Sequence, residues 1–162
     1  MNTIRIKKSI RLNLAGRPSD RMETKFNVET VALVPDRLPF IRPRLLVKTD
    51  DRVRIGSPLF EDKDRPALRF VSPGGGAVTA INYGPRRVLK SIVITLDREE
   101  SHEDYGGLNR AGIASISRDE LIERLHFGGM WPLIRELPFR NIADPSQTPP
   151  AIWVNLDGDD PF

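Results

Sequence analysis

The sequence predicts an α+β chain in which a small β barrel or sandwich, over residues 1–100, precedes a linker, a helix and the start of a second α/β domain over residues 101–162. Three observations lead to this prediction. Short apolar and β-branched runs alternate with turn residues over residues 45–96, a spacing typical of small sandwiches and barrels. One capped helical pattern follows at residues 118–127, and a proline-rich link then leads to the apolar run 151–156, predicted as the first strand of the second domain.

The first strands are predicted from alternation and composition. Apolar residues recur at alternate positions over residues 3–14, as expected of an extended segment with one buried face. A polar stretch over residues 19–27 is predicted as a loop. Residues 28–34 are β-branched and stop at Pro35, which cannot continue a central strand.

The next span consists of strand-like runs separated by turns, and we predict no helix within it. Gly56, the triple glycine at 74–76 and the segment 82–85 are the turn signals. The strand-like runs are LLVK, RVRI, PLFED, ALRFVS, AVTAI and VLKSIVITL.

The clearest single element is a helix at residues 118–127. Ser117 and Glu120 have the S-x-x-E form, in which Ser caps the helix and Glu reaches back to the cap. Gly128 and the glycine after it end the helix, because glycine adopts positive φ at little cost. Residues 98–110 are predicted as a linker.

Composition excludes several functional classes. Lys and Arg number 25 against 22 Asp and Glu, a net charge of +3 without a basic cluster, so no nucleic-acid site is predicted. The absence of cysteine removes disulfides, thiolate nucleophiles and Cys-ligated iron–sulfur centres. No run of about 18 apolar residues is present, so any membrane connection is expected to go through a partner.

No motif for catalysis, cofactor binding or metal binding stands out. The triple glycine at 74–76 is not followed by Gly-Lys-Ser/Thr, so it predicts a turn and not a phosphate loop. His102 and His126 lie far apart in sequence, and the acidic pairs lie in predicted loops. We therefore predict no catalytic, cofactor-binding or metal-binding residue in this chain.

Residues 45–63 followed by 72–81 have the form of a biotinyl or lipoyl carrier domain, with Lys63 at the place of the modified lysine. Pro66 and the ten-residue spacing from Lys63 to Pro73 predict a longer, differently shaped hairpin. We favour a charged turn over a covalent arm on Lys63; a lipoyl or biotin carrier is the alternative.

Nearly the whole chain resembles the N-terminal part of the A subunits of Na+-translocating NADH:quinone reductases. The C subunit of the Rnf complex, an electron-transport protein, shares the carrier-like core, but its cysteine clusters have no counterpart here. The segments that carry the resemblance, in order, are IRIKKSIRLNLAGRP, IRPRLLVKTDDRVRIGSPLFEDK, FVSPGGGAVTAINYGPRRVLKSIVI, GGMWPLIRELPF and PPAIWVNLDGDDPF.

The resemblance implies a biotinyl/lipoyl-like barrel-sandwich hybrid followed by a helical segment and the first strand of a Rossmann-like domain. It implies a six-subunit complex that oxidises NADH, reduces ubiquinone and pumps Na+, with flavins and an iron–sulfur centre in other subunits. This subunit is then expected to be cofactor-free and to pack on membrane subunits at the cytoplasmic face of the bacterial inner membrane. Family members continue well past Phe162, so we expect the second domain to be incomplete.

A contact site for quinone or a partner is predicted around Trp131, Arg135 and Phe139. These residues combine an aromatic platform with a cation, which suits a quinone head group.

Overall fold

The computed structural model describes residues 28–38, 40–99 and 101–154. Its barrel consists of two antiparallel sheets, as the run of short strands predicted. The four-stranded sheet has the order β1-β7-β6-β3, and the three-stranded sheet has the order β2-β4-β5. The strands are β1 (Thr30–Leu33), β2 (Pro43–Leu45), β3 (Arg52–Val53), β4 (Pro58–Asp62), β5 (Arg69–Val71), β6 (Gly76–Tyr83) and β7 (Leu89–Leu96).

The core lies between the two sheets. Phe60 of β4 and Phe70 of β5 stack with ring centroids 4.5 Å apart and an interplanar angle of 12°. Ile92 and Ile94 of β7 are fully buried on the facing side, since alternate residues of a strand point to one face. Gly76 brings β6 close to β7, because a Cβ there would lie 1.9 Å from the Thr95 carbonyl oxygen.

The β6–β7 hairpin closes through a tight turn with an unusual backbone. The Val88 N–H donates to the Pro85 carbonyl at 3.3 Å, and the Gly84 N–H donates to the Val88 carbonyl at 2.8 Å. Arg86 and Arg87 both have positive φ, at 55° and 58°. Two consecutive residues with positive φ are typical of the two-residue hairpin turn that favours Asn-Gly. Left-handed backbone is costly for arginine, so the turn is strained at both residues.

A second, smaller unit follows the barrel and contains the predicted helix. The Ser117 hydroxyl accepts from the Glu120 N–H at 3.2 Å, which confirms the predicted cap. The Glu120 carboxylate does not reach back as the capping-box pattern predicted; it accepts from the Arg124 guanidinium, a charge-assisted partner one turn along. The elements of this unit are α1 (Arg110–Ser115), α2 (Arg118–Phe127), a 3-10 turn (Trp131–Leu133), β8 (Arg135–Glu136) and β9 (Asn141–Ile142).

Two details of the sequence prediction are corrected. Helix α1 lies at the end of the predicted linker, where the Asn109 side chain caps it by accepting from the Gly112 N–H at 2.8 Å. Residues 151–154 of the predicted strand 151–156 form no strand and are exposed. A strand needs a hydrogen-bonding neighbour, and no strand among the described residues lies beside them.

Three predictions fall on other parts of the chain. The strand at 3–14, the loop at 19–27 and the end of the run 151–156 lie outside the described residues. Within the described ranges, no helix is long and apolar enough to cross a membrane.

We expect the double variant Arg86→Asn/Arg87→Gly to raise the free energy of unfolding by about 1 kcal/mol, because the new residues adopt left-handed backbone with less strain. Urea unfolding followed by circular dichroism measures the change. Arg86→Gln/Arg87→Gln is the matched control, since it removes the charges and keeps the strain. Equal stability of the two double variants would contradict the strained-turn account.

Candidate functional site

The connection between the two units is bound to the barrel. The Ile55 N–H donates to the Ser101 carbonyl at 2.9 Å, and the Glu103 N–H donates to the Ile55 carbonyl at 2.8 Å. The Ser57 hydroxyl donates to the Glu103 carboxylate at 2.7 Å. The segment 101–105, predicted as part of a linker, is therefore an added edge of the barrel.

Tyr105 anchors the second unit at the end of that segment. Its hydroxyl donates to the Gly56 carbonyl, and its ring packs edge-on to Phe127 of α2 at 5.7 Å. The Arg69 guanidinium lies over the Phe127 ring, 5.1 Å from the centroid. Burial, reinforced by the neighbouring Glu103 carboxylate, raises the pKa of Tyr105, so the phenol stays protonated and keeps its donor role.

Trp131, the first residue of the predicted contact site, lies in the core of the second unit. Its side chain is only 7% exposed, and its indole N–H donates to the Ala143 carbonyl at 2.9 Å. The His126 ring packs against it, with centroids 5.0 Å apart. Gly129 brings the end of α2 against β5, since a Cβ there would meet Val71 at 2.7 Å. Through its hydrogen bond to Ala143, Trp131 attaches the 3-10 turn to the end of β9.

Residues 133–140, which we call the apolar hairpin, project from this core. Leu133, Leu137 and Phe139 are 69%, 72% and 79% exposed. Arg135 lies in β8, half-buried, and its Nη1 atom is buried without a hydrogen-bond partner in the described part of the chain. The three predicted residues therefore share one unit but not one surface.

Phe139 instead shares a cleft of about 610 Å³ with residues of the barrel. Phe40, 77% exposed, lies on the barrel side of this cleft, and so does Arg65. The buried Asp62 carboxylate accepts from the Arg65 Nε at 2.9 Å and holds that guanidinium at the cleft. Sequence reasoning missed Phe40 and Arg65, because only the fold brings them near a residue about 75–100 positions away.

The far side of the cleft is acidic. Asp144 accepts from the Ser146 hydroxyl at 2.7 Å and from the Ser146 N–H at 2.9 Å. These hydrogen bonds lower the pKa of Asp144, which keeps the carboxylate charged at neutral pH. Glu136 accepts from the Asp144 N–H at 2.8 Å. Within residues 28–38, 40–99 and 101–154, no group of three or more His, Cys, Asp or Glu side chains is placed to hold a metal ion.

Lys63 lies directly after β4 and not at the tip of a tight hairpin. Its N–H donates to the Arg42 carbonyl at 2.8 Å, so its backbone continues the pairing with the segment before β2. The loop to β5 spans residues 63–68 and is held by the Asp62 carboxylate, which accepts from the Asp64 N–H at 3.4 Å and from the Arg65 Nε at 2.9 Å. This is the longer hairpin that Pro66 predicted.

Comparison with known proteins gives two matching family models. The NqrA N-terminal barrel-sandwich hybrid domain matches residues 4–97, and the NqrA second alpha/beta domain matches residues 116–162. The predicted order of a barrel-sandwich hybrid followed by a small α/β segment is thereby confirmed.

Curated relatives agree with the family models. The chain is 35% identical over 151 residues to the A subunit of the Na(+)-translocating NADH-quinone reductase of Pseudomonas aeruginosa strain UCBPP-PA14, covering 93% of this chain and 34% of that protein. It is 36% identical over 151 residues to the protein of the same name in Photorhabdus laumondii, with coverage of 93% and 34%. For that of Klebsiella pneumoniae strain 342 the values are 35% over 159 residues, with 98% and 35% covered. The chain thus spans about a third of the length of these relatives.

We expect the stability of the chain to fall as the pH falls below 6.5, through His126. Burial lowers the pKa of His126 from 6.5, so in this range the unfolded state binds a proton that the folded state does not. The contribution is fully present above the unfolded pKa and is lost as the pH falls through the folded pKa.

Urea unfolding at about pH 7.5 and about pH 5.5 measures this effect. His126→Gln should reduce the difference between the two pH values, whereas His102→Gln, a control at an exposed histidine, should leave it unchanged. An undiminished pH difference in His126→Gln would show that His126 is not its source.

Proposed function

We propose that this chain, which belongs to the NqrA family, forms the N-terminal part of a peripheral subunit of a Na+-translocating NADH:quinone reductase. Its role there is structural: it docks on other subunits of the complex at the cytoplasmic face of the inner membrane. It holds no cofactor of its own and contributes no catalytic residue, so the NADH, flavin and iron–sulfur chemistry takes place in other subunits. We retain the division into residues 1–100 and 101–162 as part of this proposal.

The observation that carries the docking role is the exposure of the apolar hairpin. Leu133, Leu137 and Phe139 are each more than two-thirds exposed although they lie within a few residues of the buried Trp131. Exposing large apolar side chains costs free energy in water, and covering them with a partner would recover it. Interfaces are centred on apolar and aromatic side chains of this kind.

The hairpin is held rigidly, which favours a docking role over a loose loop. The indole N–H of Trp131 fastens the turn before β8 to Ala143 after β9. The Ala143 N–H donates to the Ile134 carbonyl at 3.1 Å, and the Arg140 N–H donates to the Glu136 carbonyl at 2.7 Å, closing the hairpin across its width. A surface ordered before binding loses less conformational entropy when a partner covers it. Trp131 therefore orders the hairpin that presents Phe139.

A quinone-associated role is the second candidate, and the cleft between Phe40 and Phe139 favours it. Its volume of about 610 Å³ is within the usual range for small-molecule sites. Two exposed phenylalanine rings supply faces on which a quinone ring stacks, and the Arg65 guanidinium supplies donors for its carbonyl oxygens. In this arrangement Arg65 takes the part that sequence reasoning gave to Arg135.

We expect Leu137→Ser/Phe139→Ser in the full-length subunit to reduce recovery of the other reductase subunits at least about tenfold, because each buried apolar anchor contributes more than about 1 kcal/mol. The measurement is affinity purification from native membranes followed by quantitative mass spectrometry. Ile113→Ser, at an exposed apolar residue of α1, is the control and should leave recovery unchanged. Full recovery with the hairpin variant would contradict the docking role.

For the quinone role, we expect Phe40→Ala in the assembled complex to weaken binding of ubiquinone roughly fivefold, through loss of one stacked ring. Phe40 lies outside the apolar hairpin, so this variant separates ligand binding from docking. Competition against a photoreactive ubiquinone measures the affinity, and Leu46→Ala, at an exposed apolar residue of the barrel outside the cleft, is the control. Unchanged labelling in Phe40→Ala would leave docking as the sole proposed role.

A further inference from the structure

The β6–β7 hairpin ends in a surface that the docking and quinone roles do not use. We call residues 83–88 the arginine tip. Arg86 and Arg87 lie at its turn and are exposed, and Tyr83 and Val88 flank them with 52% and 48% of their surface exposed. The tip therefore presents two cations between an amphipathic aromatic and an apolar side chain.

Within the described part of the barrel, the two arginines have no ion pair, whereas most other arginines there do. Arg44 pairs with Glu61, Arg52 with Asp97 and Arg65 with Asp62, and Lys90, near the tip, pairs with Asp36 at 2.7 Å. No carboxylate of the described residues pairs with the cations of the turn. Unneutralised guanidinium groups at one projecting point attract an anionic surface.

The backbone conformation of the turn also supports a role in binding. Positive φ at both Arg86 and Arg87 is the conformation that Asn-Gly adopts with least strain. Among the described residues, neither side chain makes an ion pair, and both are exposed. Strained backbone of this kind concentrates where a segment meets a ligand.

The tip also extends beyond the rest of its sheet. Pairing of β1 with β7 ends at Leu33 and Ile92, and β3 meets β6 only at its opposite end, at Gly76 and Ala77. Residues 82–90 therefore form a two-stranded ribbon without a further strand on either side among the described residues. Such a ribbon brings its turn to a flat surface without a clash from the neighbouring strands.

The size of the tip favours a membrane over a protein as its occupant. A stable protein interface buries about 800 Å² on each partner and takes about 20–30 residues a side, far more than a single turn provides. A lipid surface has no such requirement, because each arginine near anionic headgroups contributes on its own and tyrosine is favoured at the interface. Guanidinium groups also bind phosphate through paired hydrogen bonds.

We infer that the arginine tip binds the phosphate headgroups of an anionic membrane surface. Arg86 and Arg87 contact the phosphates, while Tyr83 and Val88 lie at the level of the headgroups. This inference rests on the proposed function, which places the chain beside a membrane. It adds a direct lipid contact to the contacts made through partner subunits.

The test is co-sedimentation of the purified full chain with vesicles of phosphatidylcholine, with and without phosphatidylglycerol. We expect binding only to the anionic vesicles, and binding that weakens as salt is added. Arg86→Gln/Arg87→Gln should weaken it at least about tenfold, given about 1 kcal/mol for each arginine. Arg86→Asn/Arg87→Gly should weaken it equally although it relaxes the turn, which separates binding from folding.

Arg98→Gln/Arg110→Gln is the matched control, because it removes the same charge at exposed positions away from the tip. Unchanged binding by this control, together with loss in both tip variants, supports the inference. Equal loss in the control, unchanged binding by the tip variants, or binding to phosphatidylcholine alone would each overturn it. Recovery of partner subunits by Arg86→Gln/Arg87→Gln tests the proposed function separately, and a loss there with intact vesicle binding would assign the tip to an acidic protein partner.

Discussion

The antiparallel pairing of β6 with β7 is the interaction on which the rest of the structure depends. These are the two longest strands of the described residues, and β1 attaches to β7 while β3 attaches to β6. The close approach at Gly76 sets their separation, and the buried face of β7 provides Ile92 and Ile94 for the core. The stacked Phe60 and Phe70 then complete the barrel from the second sheet.

The second unit depends on the barrel in its turn. Among the described residues, Trp131 and Ile142 give it a small apolar centre, and the segment 101–105 and the end of α2 attach it to β5 and the turn around Gly56. With its few apolar residues committed to that centre, the unit leaves the apolar hairpin uncovered. The side chains of the apolar hairpin are exposed because the described residues offer few apolar side chains to pack against them.

The sequence was informative where the determining contacts are local. Contacts within a few residues determine the cap at Ser117, the end of α2 at Gly128 and the turns between the short strands. The structure contains all three features. It was uninformative where contacts are distant. The contact of Trp131 with quinone or a partner stays a prediction, and in the structure its indole N–H donates to the Ala143 carbonyl. Nothing in the sequence near residues 40 or 65 indicates that they share a cleft with Phe139. The segment 101–105 is ordered by backbone hydrogen bonds to the barrel edge and not by its own side-chain pattern. Its composition is therefore that of a loop.

The bound connection also fixes an order of assembly. The hydrogen bonds from Ser57 to Glu103 and from Tyr105 to Gly56 join residues 46 and 49 positions apart, whereas α2 is built from contacts within ten residues. The acceptors around Gly56 exist only once β3, β4 and β6 have come together, and all of these precede residue 101. Because domains generally fold as units from the N-terminus during synthesis, we expect the barrel to fold before the second unit packs on it. The newly made hairpin thus acquires its orientation from a domain that is already folded.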